Sequence, residues 1–180
     1  MANHAVLIPN KTMAINSDAY LRPVISASAI DNGFIFTLSQ KTGVAGEGEV
    51  WLTTAPSSAS ATKLWMAGEP ELPFATAGDN LYRGLGNIQD FYTSACTVFT
   101  AFKLEPNIDI ITLTAEALDS GTAQAYAIPD DSGNYKWKWA GAASTGECLR
   151  YLGTTYIPCA SGSAIGTGRI VAFQFEAYKA

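Results

Sequence analysis

The sequence predicts an all-β or β-dominated fold, an antiparallel sandwich or barrel of about eight to ten short strands with one short helix. Three observations carry this expectation. Short runs rich in β-branched and aromatic residues recur along the 180 residues, separated by Gly, Pro, Asn and Ser, at intervals close to those of sandwiches and barrels. Charged residues are only 15% of the chain, against about 25% in an average globular protein; small and β-branched residues take their place. Around Lys136 the alternation has a period of two: Tyr135, Trp137 and Trp139 point one way, Lys136 and Lys138 the other.

Taken in order, Ala5 to Pro9 is a short apolar stretch that stops at Pro9-Asn10, and residues 11–28 are extended in character, with Pro23 biasing Arg22 away from helix. Residues 1–28 are therefore read as an N-terminal arm or edge strand, and 29–180 as a single β-rich domain. Asp31-Asn32-Gly33 is a strong turn signal leading into a strand at Phe34 to Leu38. Further strands are expected around Val50-Trp51-Leu52, from Lys63 to Ala67, and from Val98 to Leu104. Asn87 to Ala95 reads as the short helix, with Asn87 as N-cap and Ile88, Phe91, Tyr92 and Ala95 near one face. Ile108 to Thr114 is apolar on both faces and reads as a central strand. Thr122 to Ile128 and Tyr135 to Ala140 flank the turn-rich Pro129 to Asn134, which is a hairpin signature. Leu149 to Ile157 reads as a strand pair or one bent strand, and Arg169 to Tyr178 as the last strand, with Val171, Phe173 and Phe175 on one face.

A chain of this length buries about 70% of its unfolded surface and has enough core without staples. The net charge of −5 argues against nucleic acid and against an anionic membrane surface, both of which need clustered Lys and Arg. Met1 is followed by no charged and apolar leader pattern, and no apolar run approaches the ~20 residues of a spanning helix. Cys96, Cys148 and Cys159 lack CxxC spacing and read as buried free thiols, with a Cys148–Cys159 bridge across a hairpin as the alternative.

Residues that do chemistry are sparse. The single histidine, His4, sits near the terminus and supplies no general base to a serine elsewhere; no Gly-x-Ser-x-Gly elbow is present. Asp130, Asp131, Ser132 and Asn134 lack the closing Glu of a calcium loop and read as a hairpin turn. Gly43, Gly46 and Gly48 fit neither a dinucleotide fingerprint nor a P-loop. The expectation is a protein that is not an enzyme, with no catalytic residues, no cofactor and no metal. The Tyr135, Trp137 and Trp139 stripe reads as core or interface rather than as a sugar platform.

Three segments together carry a resemblance. They are Ile30-Asp31-Asn32-Gly33 running into Phe34 to Leu38; then Gly48-Glu49-Val50-Trp51 with Leu64-Trp65-Met66-Ala67 and Glu69-Pro70-Glu71; then Ala101-Phe102-Lys103-Leu104 with Asp109 to Thr114. In this order they resemble head decoration (capsid cement) proteins of tailed bacteriophages, over roughly Ile30 to Leu118. The pattern departs at Ile108, where such proteins often carry Gly before the Asp. The resemblance implies a virion structural protein, made in the host cytoplasm, that binds the outer surface of an icosahedral capsid and bridges its subunits. Its partners would be the major capsid protein and, as a homo-oligomer such as a trimer, other copies of itself. A tail or baseplate component and a carbohydrate-binding adhesin are the alternatives. Ala5, Val6, Leu7, Ile8 and Pro9 are the candidate partner-binding residues: the stretch either adds to a neighbouring subunit or forms the first strand of its own domain.

Overall fold

Runs of β-branched and aromatic residues cut short by Gly, Pro and Asx turns become ten strands in the computed structural model, which describes residues 5, 7, 20–43, 48–69, 89, 91–159 and 168–180. In chain order they are β1 (Leu21–Ile25), β2 (Ile35–Lys41), β3 (Trp51–Thr54), β4 (Trp65–Ala67), β5 (Val98–Lys103), β6 (Ile110–Thr114), β7 (Tyr126–Pro129), β8 (Trp137–Ala140), β9 (Glu147–Cys159) and β10 (Gly168–Lys179), with one 3-10 turn at Ala115–Ala117 after β6. The β-dominated expectation of eight to ten short strands holds.

The first five strands close into a barrel in the order β1-β3-β2-β4-β5, with β5 returning antiparallel to β1 from Leu21↔Phe102 to Ile25↔Val98. One pairing departs from the antiparallel expectation: β1 runs parallel to β3 at Val24↔Trp51 and Ile25↔Leu52, so the barrel is mixed. Val24, Ile30, Phe36, Ala67, Phe99 and Ala101 fill it, with Phe36 and Phe99 edge to face at 5.9 Å.

The remaining strands form an antiparallel sheet in the order β6-β10-β9-β7-β8. It curls, because a bridge between Leu118 and Trp137 brings β8 back beside the chain that leaves β6. The predicted hairpin is β7–β8, in register from Tyr126↔Ala140 to Pro129↔Trp137. Its alternation sends Trp137 and Trp139 into the core and leaves Lys138 exposed.

The barrel and the curled sheet share one hydrophobic core. Ile35, Leu64, Met66 and Leu104 from the barrel half pack in the same cluster as Ile111, Leu113, Trp137, Leu149 and Phe175 from the sheet. Polar ties flank the seam. The Glu147 carboxylate, almost fully buried, accepts from the backbone N–H of Lys63 (2.8 Å) and Leu64 (2.7 Å). The Ile35 N–H donates to the Tyr135 carbonyl at 2.8 Å. The predicted turn at Asp31-Asn32-Gly33 is a hub of the same kind: Asn32 bonds reciprocally with the Glu69 backbone, at 2.8 and 3.0 Å. Gly33 has φ +87°, and a Cβ there would lie 2.6 Å from Leu113 Cδ2.

Several expectations need correction. Of the helix expected over Asn87–Ala95, Gln89 is in 3-10 helix, residues 87, 88 and 90 lie outside the described residues, and 91–95 hold no helix. Thr93 instead exchanges two backbone hydrogen bonds with Ile30, at 2.8 and 3.0 Å, and this long-range pairing overrides the local helical pattern. The strand expected to be central, β6, stands at the end of the five-strand order; among the described residues the Leu7–Leu113 bridge lies on its other side. Its buried Ile111 and Leu113 belong to the core that barrel and sheet share. The Cys148–Cys159 bridge is absent: Cys148 is a free thiol, and the two residues lie in one strand, roughly 35 Å apart at strand rise. Cys148 is buried, as expected, and burial pushes its thiol pKa up against a backbone hydrogen bond from Ser144. Cys96 is exposed rather than buried, on a turn with φ 59°.

Candidate interaction surface

β9 and β10 are far longer than their neighbours, and the surface follows from that mismatch. Cross-strand partners share a face. Leu149↔Ala177, Tyr151↔Phe175, Thr154↔Phe173 and Tyr156↔Val171 therefore lie on one side of the ribbon, with Leu152 skipped at a bulge opposite Gln174/Phe175. The half of this face near Leu149 is covered: Trp139 packs against Tyr151, Phe173 and Phe175 at 5.4–5.5 Å between ring centroids. Strand pairing among the described residues then stops. β7 pairs with β9 only at Leu149 and Arg150, and β6 pairs with β10 only from Ala172 to Glu176. Among the described residues no strand pairs with the ribbon beyond these points, and β9 runs on for roughly 25 Å past Tyr151. On that extension Tyr156 is 53% exposed and Val171, its cross-strand partner, 44%. Leu152, at the bulge, is 45% exposed. The reverse face is closed by Ile157, Ala172 and Ile170, packed on one another.

Where the ribbon face leaves the core, a cleft opens beside the 3-10 turn. Its volume is about 400 Å³. Leu118, Trp139 and Phe173 form the apolar floor; Glu116, Asp119 and Lys136 stand around it. Asp119 Oδ1 accepts from the backbone N–H of Trp139 (3.2 Å) and Gly121 (3.4 Å), which fixes its carboxylate in the lining. Lys136 lies with its ammonium 5.8 Å from the Phe34 ring centroid. Glu116 Oε2 is shut off from solvent and has no hydrogen-bond partner.

The structure places part of the sequence-predicted set. Ala5 and Leu7 are buried in this chain's own core, with the Ala5 N–H donating to Asp31 Oδ2 at 3.1 Å and Leu7 bridged to Leu113. Val6, Ile8, Pro9 and His4 lie outside the described residues, as do the glycines at 46 and the prolines at 70 and 73. Trp137 is fully enclosed and Trp139 is 7% exposed, so their stripe is core. Asp130 accepts from Ser132 N–H (2.9 Å) and the Asn134 amide (2.6 Å), the hairpin-turn role expected of it. Val171 was visible as the start of an apolar face shared with Phe173 and Phe175; its exposure had no local signal, since it depends on where β6 ends. Glu116 and Asp119 carried no signal at all: they line one cleft with Lys136 only because the sheet curls.

No protein-family model matches the chain, and no curated protein or solved structure does.

Proposed function

We propose that this chain is a virion structural protein that binds the outer surface of an icosahedral phage capsid and bridges neighbouring copies of the major capsid protein. The observation that carries the reading is the far end of the β9–β10 ribbon, where the cross-strand neighbours Tyr156 and Val171 are 53% and 44% exposed on the face that nearer Leu149 packs into the core. Large exposed apolar side chains grouped on one rigid element mark a surface that binds protein. Tyr is also among the residues that most often anchor such contacts.

The mechanism is linkage. A protein that binds only the assembled, expanded shell stabilises that state by RT ln(1 + [L]/Kd) per site, about 2.7 kcal/mol at a hundredfold excess over Kd. Repetition over a symmetric lattice, as clustered monomers or as trimers, adds avidity. Nothing in this mechanism calls for a cofactor or a bond-making group. The sugar-binding alternative draws no support from the Trp137 and Trp139 stripe, because both rings are enclosed.

The test is a reconstruction of the particles made by the genome that encodes this chain. The reading expects copies on the outer capsid surface, each ribbon touching at least one capsid subunit. Copies confined to the tail would favour a tail or baseplate component. Absence from the particle would end the proposal.

A further inference from the structure

The cleft beside the 3-10 turn belongs to no part of the ribbon's apolar extension, and its chemistry is different. We propose that it receives a basic side chain, arginine or lysine, presented by the bound partner; the inference rests on the reading of this chain as a subunit-binding protein.

Four observations point that way. The volume of about 400 Å³ lies in the range of small-ligand pockets and accommodates one long side chain with room for water. The described lining holds two carboxylates, Glu116 and Asp119, and one cation, Lys136, whose ammonium lies against the Phe34 ring. The Gln89 amide donates to Glu116 Oε1 at 3.5 Å, while Oε2 of the same carboxyl is buried and has no donor. A buried acceptor left unmet is costly, and a cationic donor entering the cleft would give that carboxyl group a reason to turn outward and meet it. The floor of Leu118, Trp139 and Phe173 suits the methylene stem of such a side chain, whose charged head would reach the acidic rim.

The same geometry argues against a sugar ring. Sugar stacking needs an open aromatic face. Trp139 is 7% exposed, with Tyr151, Phe173 and Phe175 packed against it at 5.4–5.5 Å between ring centroids, so it offers no open ring face.

The experiment is a titration of the full chain with N-acetyl-arginine amide, followed by amide and indole chemical shifts. Norleucine amide, which keeps the stem without the charge, and a methyl glycoside are run in parallel. The expected result is saturable shifts at Glu116, Asp119, Gly121 and the Trp139 indole with the arginine probe only. Glu116→Gln should weaken that binding about tenfold, the size of one lost charge-assisted hydrogen bond. Lys136→Met should strengthen it, because a competing cation is removed; a purely structural role would not produce that gain. No saturable shift with arginine, equal shifts with norleucine amide, or saturation by the glycoside alone would overturn the proposal. These outcomes concern the cleft and are separable from failure to find the chain on a particle, which concerns the function.

Discussion

Gly33 sits where turn, barrel and sheet meet, and two separate restraints act on it. Its φ of +87° lies in the left-handed region that disfavours any side chain, and a Cβ would stand 2.6 Å from Leu113 Cδ2. Gly33→Ala is therefore expected to destabilise by about 2–4 kcal/mol, backbone strain adding to overpacking, read as a lower urea midpoint with an unchanged slope. Asp130 yields a pH prediction. Burial pushes its carboxyl pKa up, but hydrogen bonds from Ser132 and Asn134, helped by the charge of Lys138, outweigh that and hold it below the ordinary carboxylate value. As pH falls, the unfolded chain takes up this proton first. The stabilisation is complete above the ordinary value of about 3.9 and disappears as pH drops through the lower, folded value. Asp130→Asn should thus lower stability at pH 7, and the gap between variant and wild type should narrow below about pH 4, measured by urea unfolding across pH. At this scale the sequence was informative where chemistry is local. Asp31-Asn32-Gly33 and Asp130 to Asn134 were legible as turns because their side chains bond to nearby backbone. Glu147 was not, because the two N–H groups it holds are 84 and 83 residues away.

Strand existence was legible from alternation, and strand length was not. The period-two pattern of Tyr135 to Ala140 placed β8 and its faces. β9 looked like a pair or a bent strand because Leu152 is a bulge and Gly153 follows it; in the structure a single 13-residue strand absorbs both. The helical spacing at Phe91, Tyr92 and Ala95 misled because the Ile30–Thr93 pairing lies some sixty residues away in sequence. The functional prediction belongs to the β9–β10 ribbon. Replacing Tyr156 and Val171 together by Ser removes exposed apolar surface and leaves the core and the ladder bonds in place. The double variant should unfold within about 0.5 kcal/mol per site of wild type, as is usual for surface substitutions, while losing its binding to capsids. Circular dichroism melts and particle co-sedimentation check the two halves of that statement.

On the scale of the whole molecule, the barrel and the curled sheet share the cluster that joins Met66 and Leu104 to Leu113 and Phe175. Leu113→Ala removes a fully buried side chain at this seam and should cost about 2–5 kcal/mol. Because both halves lean on it, Trp51 or Trp65 in the barrel and Trp139 in the sheet, each kept as the sole tryptophan, should report coincident transitions; two separated transitions would show that the halves unfold independently. The β-dominated class was legible because composition and turn spacing are global averages. The division into barrel and half-barrel was not, since β1–β3, β1–β5 and Leu7–Leu113 are pairings between distant segments that no local pattern announces.

The most direct test of the proposed function is saturation binding of the purified chain to expanded, DNA-free capsids assembled from the major capsid protein encoded in the same genome, followed by sedimentation. The account predicts a fixed number of copies per shell set by the icosahedral lattice, shells that withstand higher temperature when saturated, and loss of both effects in the Tyr156→Ser, Val171→Ser double variant. Shells that sediment without the chain, or that bind the double variant as well as the wild type, would contradict it.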